Sequence, residues 1–302
     1  MGPVLCLGMF MYVRAALFLA ASALVIEVIA PSMLSAAEPK PPLAPSSKWE
    51  VDYAPTECRL RRAFGEGPEQ MLLQLSRYDL HDQLEMALAG PHIPATDDNG
   101  PVSVATSTVA EVPGIQAQGF AGTGKVPGSL RFRPDVDLPK ALRSDVAAGR
   151  PTMLGINFVR RYAVRLDLGS MKGPLAALDK CFDDLITSWG LDPVQQRQLK
   201  SGPEPLESPL RWFRPDDYPA GLSRMGLGGA VIIRLLVGTD GGVQKCEVTK
   251  SGGDKAFQDA TCEAATKRAK FRPAIGPDGQ PAASVWIKRI NWKPGGSFFV
   301  FR

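Results

Sequence analysis

Apolar and polar residues alternate along much of the chain. Residues 49–53 (WEVDY) and 57–64 (ECRLRRAF) alternate with a period of two, the second run ending at Gly65, which predicts half-buried strands. Residues 70–75, 84–88, 129–133, 153–158 and 162–168 add further short runs. The stretch 101–128 is rich in Gly, Thr, Ser and Val, and periodicity gives little purchase on it. Two stretches read differently. Residues 139–148 predict a short helix, and Leu175, Leu178, Phe182, Leu185 and Ile186 recur at helical spacing, with Gly190 placed as the C-cap. Residues 48–192 are therefore expected to be a mostly antiparallel β domain with a late helix.

Residues 193–217 are polar and broken by Pro203, Pro205, Pro209 and Pro215, the composition of a linker. Beyond it the pattern sharpens. Residues 230–238 (AVIIRLLVG) predict a strand, Asp240-Gly241 a hairpin turn and 243–249 the partner strand. Ser251 or Asp254 can cap a helix in which Phe257, Ala260, Thr261, Ala264 and Ala265 recur. Residues 282–292 (AASVWIKRINW) predict a closing strand. With a short helix after Pro219, residues 218–302 read helix-strand-strand-helix-strand, one antiparallel sheet covered by the helix. The fold class is thus α+β, a β-rich domain followed by a smaller α+β one.

Composition narrows the class. Among 302 residues, 44% are hydrophobic and 22% charged, which suits a folded chain. The net charge of +4 carries no dense basic run, so nucleic acid is not an expected partner. Arg14, the apolar run that follows it and Ser35-Ala36-Ala37 predict a secretory signal over 1–37, the alternative being a retained anchor. Glu27 and an apolar run of about a dozen residues, short of the ~20 a spanning helix needs, favour cleavage. Residues 38–47 are Pro-rich and read as a tether. Export makes Cys58, Cys181, Cys246 and Cys262 candidates for disulfides, since no pair has CxxC spacing. Three pairings are open to them; Cys246 with Cys262 and Cys58 with Cys181 would keep each bridge within one domain.

The residues from 218 onward resemble the TonB C-terminal family. The resemblance rests on six features in order: Tyr218-Pro219, Gly228-Gly229-Ala230-Val231, Asp240-Gly241, Ser251-Gly252, Phe271-Arg272-Pro273-Ala274 and Gly279-Gln280-Pro281. It implies a non-enzymatic, periplasmic interaction module of TonB-dependent transport. It also implies partners, namely TonB-box peptides of outer-membrane receptors and an inner-membrane proton-driven motor complex. The alternative is an envelope scaffold without energy transduction. In this family peptides add as a strand to a sheet edge, which here corresponds to 282–292, with Val285, Trp286, Ile287, Lys288 and Arg289 as the candidate residues. The plainer reading is that these residues fill the last strand, with Lys288 and Arg289 protecting its edge. The β domain loosely resembles small envelope β domains such as the invasion-associated locus B group, and no functional residue is carried over from them.

Catalytic chemistry is not expected. Asp183-Asp184 diverge on a helix, Asp216-Asp217 fall in the linker, and His81 has no nucleophile indicated beside it. The only other histidine, His92, is far from any cysteine in sequence, so no metal site is expected. Gly119, Gly124 and Lys125 have phosphate-loop spacing, but Val126 replaces the required hydroxyl and Pro127 blocks the helix, so a surface loop is expected and no cofactor is implied.

Overall fold

The computed structural model describes residues 41–302, apart from 81–82, 92, 94–99, 124–126, 135–136, 159–161, 295–296 and 301–302. The expected signal sequence, His81, His92, Gly124 and Lys125 lie outside the described residues.

The alternating runs form one nine-stranded antiparallel sheet. Its strands are β1 (Glu50–Tyr53), β2 (Cys58–Phe64), β3 (Met71–Arg77), β4 (Glu85–Ala89), β5 (Gly100–Thr106), β6 (Val112–Phe120), β7 (Ser129–Phe132), β8 (Thr152–Phe158) and β9 (Tyr162–Gly169), in the order β1-β2-β3-β4-β7-β6-β5-β8-β9. Alternate residues point inward, as a pleated strand requires: Leu60 and Phe64, Leu73 and Leu75, Met86 and Leu88, and Leu154 and Ile156 are all essentially inaccessible. The weakly patterned 101–128 stretch supplies β5 and β6, whose core residues Val102 and Val104 flank Ser103 and Ile115 and Ala117 flank Gln116, a short alternation set among Gly, Thr and Pro. Helix α1 (Leu138–Ala147) begins on the Asp137 cap, and α2 (Lys172–Ser188) ends before Gly190, whose φ is 80°. Helix α2 packs on β1 and β2 through its apolar stripe.

The described part of the expected tether is not free. Leu43 N–H donates to the Arg165 carbonyl, and Leu43 accepts from Asp167 N–H. Ser46 N–H donates to Ala63, and Gly65 N–H to Ala44. Residues 43–46 thus stitch β9 to β2 and close the sheet on itself, which leaves fewer exposed edges. Proline suits this segment because a short edge piece tolerates the missing donors.

The expected linker is also folded. It contains α3 (Pro193–Arg197), β10 (Glu204–Pro205) and 3-10 turns at Pro209–Trp212 and Pro215–Asp217. Trp212 and Phe213 are buried, and Arg268 donates to the Trp212 carbonyl and pairs with Asp217. Two buried aromatics anchor the segment despite the polar, proline-rich composition around them.

After α4 (Ala220–Arg224) come β11 (Gly229–Val237), β12 (Val243–Gly252) and α5 (Lys255–Arg268), followed by the short strands β13 (Phe271–Arg272), β14 (Ala274–Ile275) and β15 (Pro281–Ala282), then β16 (Ser284–Lys293) and β17 (Ser297–Val300). The second sheet runs β12-β11-β16-β17 and has four strands where three were expected. Residues 281–282 pair with β14 instead of extending β16. Gly229 is required by packing, since a Cβ there would lie 2.5 Å from the Phe257 ring. The α5 face of the sheet buries Val231, Ile233, Leu235, Trp286, Ile290 and Trp292. The opposite face packs on the first domain, with Val285 inside its core and Leu236 and Ile287 against it. Residues 40–302 accordingly form one unit and not two bodies on a linker.

Candidate functional site

Strand β16 pairs along its whole length with β11, from Trp292 opposite Gly229 to Ser284 opposite Val237. Its second edge is divided. Strand β17 covers Ile290 to Lys293, and Phe298 fixes it there by packing on Trp292 and Phe213, ring centroids 5.3 and 6.0 Å away. Among the described residues no strand pairs with that edge over 284–289. Of the edge expected over 282–292, the C-terminal tail thus occupies Ile290 onward, Ala282 pairs with β14, and 284–289 is the part that the tail leaves uncovered.

The five candidate residues lie on the open half, but their side chains are unequally available. Val285 and Trp286 are buried on opposite faces, Ile287 and Lys288 are half-buried, and Arg289 is exposed. Trp286 stacks against Trp212 and Phe271 at 5.1 and 5.6 Å. The accessible chemistry at 285–287 is therefore the backbone more than the side chains. Lys288 lies at 6.0 Å over the Trp286 ring.

This half-edge borders a groove of about 1290 Å³ that is also lined by Arg77, Arg143, Asp179 and Asp183 of the first domain and by residues 202–205 and 208–210. Helix α2 sets Asp179 and Asp183 one turn apart on the same side. Arg143 grips both Asp179 oxygens at 2.8 and 2.9 Å, Arg77 adds a contact at 3.1 Å, and Arg197 pairs with Asp183. Arg77 also lies 4.1 Å over the Phe182 ring, which fixes its guanidinium plane.

What holds the groove's two sides together is a set of contacts that sequence patterning did not single out. Lys250 of β12 reaches Glu57 at 2.7 Å and Glu85 at 3.3 Å, and lies over the Tyr78 ring at 4.8 Å. Burial by itself would raise the Glu57 carboxyl, but Lys250 and Arg59 together outweigh it and hold the group below the usual carboxylate range. Arg234, buried in β11, stacks at 4.0 Å on Trp189 and donates to Glu247 at 2.6 Å. Burial lowers its pKa, an effect Glu247 opposes. Gln196 donates to the Ala283 carbonyl at 2.9 Å and accepts from the Ser284 hydroxyl at 2.7 Å, fixing the start of β16. Arg234 and Glu247 face each other across the β11–β12 pairing, whereas Lys250 and Glu57, and Gln196 and Ser284, are far apart in sequence, and only the alternation of Lys250 and Arg234 within strands marks them as facing inward.

The disulfides join Cys58 to Cys181 and Cys246 to Cys262. The first ties β2 to α2, behind the Asp179 wall, and the second ties β12 to α5. Of the candidate acids, Asp184 pairs with Lys180 and Asp217 with Arg268. Among the described residues no group of three or more His, Cys, Asp or Glu could hold a metal ion. No helix among them is long and apolar enough to cross a membrane.

No curated protein and no solved structure matches the chain. Residues 214–294, about a quarter of the chain, match the family model of the Gram-negative bacterial TonB protein C-terminal. The match takes in β11, β12, α5, β16 and the last turn of the supposed linker but not β17, so this part of the chain is a TonB-type C-terminal domain.

Proposed function

We propose that this protein is a non-enzymatic, periplasmic interaction module of TonB-dependent transport, exported by the segment 1–37 and binding an extended peptide at the open half of β16. The observation that carries the reading is the unpaired backbone over 284–289 in a TonB-type domain, facing a groove and not bulk solvent. Main-chain groups there can supply affinity by completing a sheet, and the groove walls can supply selection. The expected ligand is the TonB-box peptide of an outer-membrane receptor, with Val285 to Arg289 as the segment that receives it.

A specific observation favours the accessory form of this role over force transmission from a proton-driven motor. From residue 41 onward the chain enters the first sheet, and residues 193–217 fold onto the second, so neither segment serves as a long rod. An envelope scaffold that uses the same edge without energy transduction is the second reading.

Backbone-methylated peptides test strand addition. A TonB-box peptide is titrated by fluorescence anisotropy alongside analogues N-methylated at successive amides. In an added strand only alternate amides face the partner. Methylation at every second position is expected to abolish binding, with the intervening positions tolerant. Uniform tolerance, or loss without a two-residue period, would overturn the reading.

A further inference from the structure

Strand β17 lies on the same edge of β16 that an added peptide would take. It pairs antiparallel with β16, from Ile290 opposite Val300 to Lys293 opposite Ser297. Phe298, opposite Trp292, anchors it: the ring is half-buried and lies 5.3 Å from Trp292 and 6.0 Å from Phe213. Trp292 also meets Phe213, Tyr218 and Phe257 at 5.8, 5.5 and 5.6 Å, and all four rings are buried in the second core. The family match ends at residue 294, so Trp292 lies within it and Phe298 beyond it.

The aromatic socket continues the groove. Ser208, Pro209 and Leu210 line the groove, Phe213 follows three residues later in the socket, and β17 rests on the turn Pro209–Trp212 between them. A partner strand that takes all of β16 in the orientation of β17 gains ten positions, against six on the open part. At about 3.3 Å per residue the full edge spans roughly 33 Å. The second residue of such a strand falls opposite Trp292, where Phe298 sits. Phe298 meets Trp292 at an interplanar angle of 85° and Phe213 at 45°, contacts that an aliphatic side chain matches in area but not in ring electrostatics. The four paired positions of β17 are replaced by the partner's own, and six more are added.

We propose that the socket formed by Trp292 and Phe213 is an aromatic subsite of the peptide edge, filled in the free protein by Phe298 as a built-in competitor. Its ligand is an extended partner segment with an aromatic residue near the end that lies opposite Trp292. This rests on strand addition at β16 and adds to it a second, self-occupied half. Tail and partner exclude one another over 290–293, so each weakens the other's hold by the same factor. Three residues, 294–296, tether β17 to β16, which keeps the competitor at a high effective concentration. A partner confined to the open six residues leaves it in place, and a longer one with the matching ring displaces it.

The test uses the purified protein and three synthetic peptides, each with a two-lysine tail. They are the decapeptide Thr-Phe-Thr-Val-Thr-Val-Thr-Val-Thr-Val, its analogue with Ala in place of Phe, and the hexapeptide that lacks the first four residues. The Phe decapeptide is expected to bind about tenfold more tightly than the Ala analogue. It is also expected to speed amide exchange over 297–300 while 290–293 stay slow, and the hexapeptide to leave 297–300 unchanged. Phe298→Ala weakens the competitor and is expected to tighten the Phe decapeptide several-fold, with the hexapeptide's affinity unchanged. The exchange measurement needs no variant, so it decides the matter if Phe298→Ala does not fold. Slow exchange over 297–300 with the Phe decapeptide bound, or equal affinity of the two decapeptides, would overturn the subsite while the hexapeptide still reported strand addition. A folded Phe298→Ala protein that binds the Phe decapeptide no more tightly than wild type would overturn it too. If none of the three peptides binds, the subsite falls; if N-methylation of the TonB-box peptide also shows no two-residue period, strand addition falls with it.

Discussion

Lys250→Met removes the cation that joins the two halves of the molecule. In the native protein Lys250 is about three-quarters buried and Glu57 almost wholly so, with the pair 2.7 Å apart. Removing one partner of a fully buried pair costs ~3–5 kcal/mol. Here Arg59 still holds Glu57 at 2.5 Å, and Lys250 keeps some solvent, so a loss of about 2–3 kcal/mol is expected near neutral pH. The pH dependence carries a sign. Folded Glu57 lies below its ordinary range, so across that range the unfolded chain binds more protons. Its contribution is complete at neutral pH and is lost as the pH falls through the carboxylate range. In Lys250→Met, burial acts against a weaker opposing field, so Glu57 is penalised for staying charged. The deficit relative to wild type is therefore largest near about pH 7 and shrinks toward about pH 3. Urea unfolding followed by tryptophan fluorescence and far-ultraviolet circular dichroism measures it. A neutral-pH deficit under ~0.5 kcal/mol, or one that grows in acid, would refute the reasoning.

Further outcomes follow from the packing. Replacing Cys246 and Cys262 with Ser opens a loop of sequence separation 16 and is expected to cost about 3 kcal/mol, against about 5 for Cys58 and Cys181 at separation 123, read from chemical unfolding without reductant. Thr261→Val leaves the buried Trp292 indole N–H, which donates to the Thr261 hydroxyl at 2.9 Å, without its acceptor; a loss of about 1–3 kcal/mol is expected, with Thr261→Ser near wild type in the same melt. Gly241→Ala puts a Cβ 2.0 Å from the Phe271 carbonyl oxygen at a residue whose φ is 77°, so a destabilisation of at least about 2 kcal/mol is expected in thermal melts.

The sequence was most legible where one local signal sufficed. The period-two runs of β2, β8 and β9, the Asp254 cap of α5 and the Asp240-Gly241 turn each depend on neighbours a few residues away, and the structure places these elements within a residue or two of expectation. Legibility failed where a distant partner decides. Residues 43–46 become sheet because β9 and β2 offer hydrogen bonds over a hundred residues apart, which no local pattern encodes. Residues 193–217 have linker composition, yet Trp212 and Phe213 anchor them; two adjacent aromatics in a proline-rich stretch were the available signal. For the site, the strand was legible but its edge was not. The tail pairing at Ile290 depends on Phe298 finding Trp292, and the Asp179 wall faces β16 only because the two domains pack together. Glu57, Lys250 and Arg143 look like ordinary surface charges until that packing exists.

Amide hydrogen exchange on β16, with and without a TonB-box peptide, bears most directly on strand addition at its open half. In the free protein, amides within 284–289 that face away from β11 are expected to exchange quickly, while those of 290–293 are slowed by β17. Saturating peptide is expected to protect the fast set within 284–289 and leave the outer edge of β12 unchanged. Protection absent from 284–289, or confined to β12, would contradict the account.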